Sequence, residues 1–451
     1  MNPTSRPSAP SHIPAAFTRR RFLSLSALTT AALVTGCGGG QGVGDTGDKE
    51  GVGGFSGKYE GAALTLAYWN GFTGGDGPTM TSLVESFNGA EKNITVKANT
   101  IDWAIFYQKL PTAVQQGKGP DVGAMHLDQL ATNAASSTIV PVDDVAEALG
   151  LQESDFAPSV WQPGIYKDKR YGIPLDVHCL AMYYNKDHFS KAGIEAAPTD
   201  AASFDEACTK LQAAGFDAPF WMPNQWPAHL MFLSLLWQFG GEPYAEDGSE
   251  ATFGSAEGVK ALTWMTDQIS KGYGPENVDI DAQYLAFKNG KTSITWDGIW
   301  QINDLEAAGI NYGIAPLPTI GEEPASWSNS HNFFLTSQAA DDKDRSDASK
   351  VFISWMSDQS DKWSGAGMIP ARNSAREKPA FTDSVQYGIK DQIDHLHFLP
   401  PVPGLGPVQA DTLEVALNEA ILGQSSIEDA LAKGQSNATQ LMKANREKYG
   451  G

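Results

Sequence analysis

Leu64-Thr-Leu-Ala-Tyr-Trp69 runs straight into Asn70-Gly-Phe-Thr-Gly-Gly-Asp-Gly77, and Pro78 follows. The first run reads as a short strand and the second as a Gly-rich loop. Pro78 is well placed to open a helix, because the first turn has no use for its missing N–H. Met80, Leu83, Val84 and Phe87 then recur at i, i+3, i+4 and i+7, the spacing of one helix face. Ile94-Thr-Val96 predicts a second strand. Strand, helix and strand in this order predict a parallel sheet with helices on its faces.

The same alternation extends outward. Tyr107 to Gln116 predicts a helix, and Asp121-Val-Gly-Ala-Met125 a strand. Further on, Leu180-Ala-Met-Tyr-Tyr184 predicts a strand, Phe204 to Ala213 a helix, and Leu230 to Gln238 a buried helix. Ser293-Ile-Thr-Trp296 predicts a strand ending at Asp297, which is placed to cap a helix over Gly298 to Ala308. Tyr312-Gly-Ile-Ala-Pro-Leu317 predicts another strand. Thr412 to Ile421 and Ile427 to Met442 predict two helices around Gly423-Gln-Ser-Ser426. No internal repeat and no long Pro/Ser linker divides the chain.

The 451 residues leave room for two domains of ordinary size. Acidic residues outnumber basic ones 53 to 32, a formal charge of -21. Binding a phosphate backbone needs clustered Lys and Arg, so nucleic acid is excluded as a partner. The 12 Trp, 13 Tyr and 20 Phe supply a core and aromatic binding faces.

Residues 1–36 differ in character. They hold Arg6, Arg19, Arg20 and Arg21 and no Asp, Glu or Lys. A basic patch before the apolar run Phe22 to Val34 predicts an export signal peptide. Thr18-Arg-Arg-Arg-Phe-Leu23 resembles a twin-arginine signal, with the Sec route as the alternative. Val34-Thr-Gly-Cys37 resembles a bacterial lipobox, in which cleavage frees Cys37 for diacylglyceryl attachment and anchors the chain to the outer face of the membrane. Residues 37–62 then form the lipidated cysteine and a Gly-rich flexible tether. Cys179 and Cys208 remain; in an exported protein they either pair or stay buried as small hydrophobes.

Several segments carry a family resemblance together. They are Tyr68-Trp-Asn-Gly-Phe-Thr-Gly74, Gly119-Pro-Asp-Val122 with Met125-His-Leu-Asp128, Tyr171-Gly-Ile-Pro-Leu-Asp176 and Tyr183-Tyr-Asn-Lys-Asp187. Later come Thr295-Trp-Asp-Gly-Ile-Trp300, Asn311-Tyr-Gly-Ile-Ala-Pro-Leu-Pro318 and Met368-Ile-Pro-Ala-Arg-Asn373. In this order, from about residue 63 to the end, the chain resembles the solute-binding proteins of ATP-driven (ABC-type) sugar importers, the maltose-binding-protein-like group. The resemblance implies an α/β, two-lobe periplasmic-binding-protein-like fold with a ligand cleft between the lobes. It implies three crossings, placed near Pro174–Asp176, Tyr312–Leu317 and Ser364–Met368. The N-terminal lobe is then 63–175 plus 312–365, and the C-terminal lobe 176–311 plus 366–451. Such a receptor is a monomer that closes by a hinge on a neutral sugar and hands it to the importer's permease subunits.

A neutral sugar offers hydroxyls and flat C–H patches, so it is held by carboxylates, by Asn, His and Arg, and by aromatic faces. Trp69 and Asn70 end the first strand, where α/β sheets present ligands, and Asp76 lies on the same loop. Asp128 follows a strand, with helix capping as its other role. Asp176 and His178 stand two apart on an extended segment and so face one side. Trp226, on a loop with two prolines, suits a stacking platform. Trp296, Asp297 and Trp300 cluster at a strand–helix junction, where Gly298 permits close approach of a ligand. Asn329 and His331 lie in a polar run before Phe333. Arg372 follows the third crossing, where the resemblance puts cleft residues.

Other classes fit less well. A glycoside hydrolase needs two carboxylates at a set separation, and nothing singles out such a pair. A binding protein for another small neutral solute stays open. His395-Leu-His397 offers two imidazoles without a third ligand at metal spacing, so no metal and no cofactor is expected. Gly290-Lys-Thr292 lacks the earlier glycine of a phosphate loop, because Leu285 stands there.

Overall fold

The strands predicted from residue 64 onward assemble into two main sheets. The computed structural model describes residues 55–450. The export signal, Cys37 and most of the tether lie outside the described residues. Both sheets belong to one compact unit.

The strands are β1 (Leu64–Asn70), β2 (Ile94–Thr100), β3 (Val122–His126), β4 (Ile139–Val140), β5 (Ile165–Tyr166), β6 (Lys169–Arg170), β7 (Ile173–Pro174), β8 (Asp176–Asn185), β9 (Ile294–Gly298), β10 (Tyr312–Ala315), β11 (Ser326–Asn329), β12 (His331–Thr336), β13 (Ile369–Pro370) and β14 (Leu396–His397). The first sheet runs β2-β1-β3-β12-β4, with β7 also on β12. Strands β1, β2 and β3 are parallel, as the βαβ pattern requires, and β12 joins them antiparallel. The second sheet is built on β8, which pairs with β9, β10, β11 and β13.

The first helix, α1 (Gly77–Ala90), buries Met80, Leu83, Val84 and Phe87 as its spacing predicts. Helix α2 (Trp103–Gln115) precedes β3, and α3 (Leu127–Ala135) follows it directly. The helix Ala228–Gln238 is buried on every side, which explains its unbroken apolar character. No helix among the described residues is long and apolar enough to cross a membrane.

Strand β8 shows how one sequence serves two cores. Val177, Cys179, Ala181 and Tyr183 enter the core shared with the first sheet, whereas Leu180 and Met182 enter the second core. Period-2 alternation therefore sends Asp176 and His178 to the Leu180 side. Cys179 and Cys208 are buried free thiols in different cores, which decides between their two readings. Burial pushes the Cys179 thiol up to about 12.

The chain passes between the sheets at Leu175, between β7 and β8. It returns at Ser330, between β11 and β12, not at Tyr312–Leu317 as expected. The correction has a simple cause: β10 and β11 are both hydrogen-bonded to β8. Residues 312–329 thus belong with the second sheet, and the expected lobe boundary at 312 moves to 330. A third passage lies between Asp358, which ends a helix over the first sheet, and β13, which pairs with β8.

Candidate functional site

The two crossing segments run side by side, and the site grows from that contact. The Leu175 N–H donates to the His331 carbonyl at 2.8 Å. In the second sheet Asn329 pairs with His178; one residue past the crossing, His331 pairs with His126 across β12 and β3. Three histidines distant in sequence thereby meet. Ring centroids are 4.2 Å apart for His178 and His331, 4.8 Å for His126 and His331, and 5.3 Å for His126 and His178.

Asp176 lies beneath them, fully buried. Its carboxylate accepts from the His331 N–H at 2.9 Å, His331 Nδ1 at 2.8 Å, His178 Nδ1 at 3.3 Å and the Trp363 Nε1–H at 2.6 Å. Burial by itself would raise its pKa; the histidine charge and donors outweigh burial and hold the carboxyl well below the usual range. Burial pushes His178 down to about 4 and lowers His126 as well. Burial also raises Asp76 to about 6, opposed by His331 and reinforced by Asp176.

Aromatic rings flank this polar centre on both sides. From the first sheet's side come Phe72, 4.7 Å from His331, and Trp103, stacked on His331 at 5.5 Å. A Cβ on Gly71 would lie 2.1 Å from the Trp103 ring, so this glycine lets the indole close onto the loop. From the second sheet's side come Trp300 and Trp327, 5.8 and 5.9 Å from His178. Trp226 extends the row, 6.4 Å from Trp300 and 37% exposed.

Several buried polar atoms here have no hydrogen-bond partner within the protein. They include Asn70 Nδ2, Asp76 Oδ1, Asp128 Oδ1 and His178 Nε2. Asn70 spends its Oδ1 on the Phe72 N–H. Asp76 precedes α1 but makes no capping bond with its side chain. Asp128 lies in the first turn of α3, beside Asn329 and Tyr107. Asn329 accepts from the Leu127 N–H at 3.1 Å. Trp69 packs edge-on against Phe106, at the margin of the aromatic group.

Three expected site residues lie elsewhere. Trp296 is enclosed in the second core, stacked on Trp264 at 5.2 Å and 14°. Asp297 is buried in β9 and accepts from the Gly298 N–H and Gln283 Nε2. It caps no helix, because pairing with Ala181 keeps it extended and the helix starts only at Ile302. Arg372 donates to Ser357 and stands 3.8 Å from Asp358, so it ties two helical segments together. The space expected beside Gly298 is filled by Trp300 itself, whose ring lies 2.1 Å from where a Cβ would be.

Sequence reasoning missed Phe72, Trp103, His126, Trp327 and Trp363. His126 carries one sequence signal, since it ends a strand beside Asp128. His397 stacks on Trp237 and is not part of the histidine cluster.

Residues 82–388 match the bacterial extracellular solute-binding proteins. The maltotriose-binding protein of Pyrococcus abyssi is 25% identical over 312 residues, 66% of this chain and 65% of that protein. The sn-glycerol-3-phosphate-binding periplasmic protein of Escherichia coli K12 is 28% identical over 280 residues, 57% of this chain and 61% of that protein. The match thus spans less than two thirds of these relatives. The GacH receptor of Streptomyces glaucescens, solved alone and with acarbose, superposes with a TM-score of 0.75 at 23% identity, covering 85% of this chain and 99% of that one. The two sheets of this chain and their crossings make up a fold that superposes on that of the GacH receptor, and the chain belongs to the bacterial extracellular solute-binding protein family.

Proposed function

We propose that the chain is a receptor for a neutral mono- or oligosaccharide, which it delivers to an ABC-type importer by hinge closure. One observation carries this reading. Buried polar atoms without protein partners, from Asn70, Asp76, Asp128 and His178, converge among indole rings. Unpaired buried donors and acceptors cost free energy until a ligand's hydroxyls satisfy them, and indole faces match the C–H patches of a pyranose. The named relatives support the class: one binds maltotriose, and neighbours of the same fold were solved with acarbose and mannotriose. The sn-glycerol-3-phosphate relative points to an anion instead. However, the seam residues named above include no Lys or Arg, and the seam carries Asp76, Asp128 and Asp176.

The ligand-facing set is then Asn70, Asp76, Asp128, His178, Trp226, Trp300, Asn329 and His331, with Trp69 at the margin and Asp176 behind them, orienting His178 and His331. Residues 63–174 and 331–365 form one moving half, and 176–329 and 366–451 the other. The receptor works as a monomer. Its N-terminal segment directs export by the twin-arginine route, and Cys37 anchors the mature chain by lipid to the outer face of the membrane.

A thermal-shift panel tests the reading, since a ligand that binds only the folded form raises the melting temperature. Maltose, maltotriose, mannotriose and sn-glycerol 3-phosphate are compared on ligand-free protein. A neutral sugar raises Tm and is recovered uncleaved. A shift with sn-glycerol 3-phosphate alone, or release of shorter saccharides, overturns the proposal.

A further inference from the structure

His126, His178 and His331 place one ring nitrogen each within 4.8 Å of the others. Each already has Nδ1 engaged. His178 and His331 share the Asp176 carboxylate, at 3.3 and 2.8 Å, and His126 Nδ1 lies 2.6 Å from the Tyr107 hydroxyl. The nitrogen left to each ring is Nε2. That of His178 is buried and without a hydrogen-bond partner.

A carboxylate can only accept, so with both rings neutral Asp176 takes the Nδ1–H of each and leaves each ring an Nε2 lone pair, that of His178 being buried. An imidazole whose Nδ1 proton is held by a carboxylate or a hydroxyl is the form that ligates a metal through Nε2. Tyr107 suits the third ring: its oxygen already accepts the His126 N–H at 3.0 Å and can accept Nδ1–H as well. Three imidazoles with no thiolate select borderline ions of the zinc class over magnesium or calcium, which prefer oxygen donors.

We propose that His126, His178 and His331 bind one divalent transition-metal ion of the zinc class, oriented by Asp176 and Tyr107. Two of the ligands come from the first sheet and one from the second, so the ion ties the sheets together beside their crossing. The site shares His178 and His331 with the carbohydrate reading, so ion and sugar compete for the same nitrogens; zinc uptake is therefore measured without any sugar, and its failure leaves the sugar reading standing.

The full chain is stripped with a chelator and titrated with zinc by calorimetry, with magnesium and calcium in parallel. Cobalt(II) serves as a visible-absorption probe. The expected result is one equivalent of zinc, a cobalt spectrum of four-coordinate type, and no uptake of magnesium or calcium. His126→Gln and His178→Gln abolish the one-to-one binding, and Tyr107→Phe weakens it by about 10-fold, as for groups that orient metal ligands. The double variant His395→Gln/His397→Gln binds as the parent does. Circular dichroism checks each fold, and His126→Gln, whose histidine is the least buried, decides the matter if His178→Gln does not fold. Failure to take up one equivalent of zinc, or uptake unchanged in His126→Gln, overturns the proposal.

Discussion

His178 and His331 stack with ring centroids 4.2 Å apart and 27° between their planes, although one lies in the first strand of the second sheet and the other in the first sheet. The stack is held from below by one carboxylate. Asp176 reaches both rings and also accepts from Trp363, whose indole packs against Phe72 at 5.0 Å. The crossing is thus fixed by charge-assisted hydrogen bonds among buried groups, where each donor matters most.

Trp363→Phe keeps an aromatic ring and removes the Nε1–H. The buried Asp176 carboxylate then lacks one donor, and hydrogen bonds to charged groups contribute about 1.5–3 kcal/mol. Urea unfolding should show a loss of about 2 kcal/mol with an unchanged m-value. A midpoint equal to that of the parent would mean that the bond contributes nothing at this site.

Trp226 and Trp296 are both indoles beside candidate polar residues, and their substitutions should separate cleanly. Trp226 is 37% exposed and touches His229 and Trp300. Trp226→Ala should leave Tm within error and weaken the bound sugar by roughly 10-fold, the scale of one aromatic contact. Calorimetry on the folded variant reads this directly, and unchanged affinity removes Trp226 from the ligand surface.

Trp296→Ala should act on stability. The side chain is fully enclosed between Trp264, Phe204 and Phe220. Emptying such a site costs about 3–5 kcal/mol through lost transfer energy and a residual cavity. A variant that keeps its urea midpoint but loses sugar affinity would return Trp296 to the ligand surface.

That contrast marks where sequence reading stops. The βαβ start at Leu64, the helix face Met80–Leu83–Val84–Phe87 and the shared face of Asp176 and His178 follow from local periodicity, and the structure keeps all three. Which indole enters a core depends on which strand pairs with β8, a non-local register that periodicity does not carry. The same register brings His126 to His331 and Asn329 to His178. Trp103 and Trp363 lie far along the chain from the crossing they enclose, so no window of sequence joins them to it. The second crossing was displaced for a related reason. Tyr312–Leu317 looks like a chain heading for the first sheet, but β10 is captured by β8.

Asp297 should reveal itself through pH. Burial raises its carboxyl to about 7, with Asp281 adding to the rise and the Gly298 N–H and Gln283 opposing it. The unfolded value is about 3.9. Because the folded pKa is the higher one, the folded state binds the proton more tightly. Its contribution to stability is full below about pH 3.9 and is lost as pH rises through about 7. Three pKa units correspond to a cost on the order of 4 kcal/mol at high pH. Asparagine retains an acceptor and does not titrate, so Asp297→Asn escapes that cost. His178 acts in the opposite direction, since its lowered value makes stability rise with pH between about 4 and 6.5, and His126, also lowered by burial, acts in the same sense as His178. Parent and variant share those histidines, so their effect cancels in the difference. Urea unfolding of both proteins from pH 5 to pH 8 should therefore show the variant gaining on the parent as pH increases. Parallel curves across that range would mean that Asp297 is already ionised in the folded chain at pH 5.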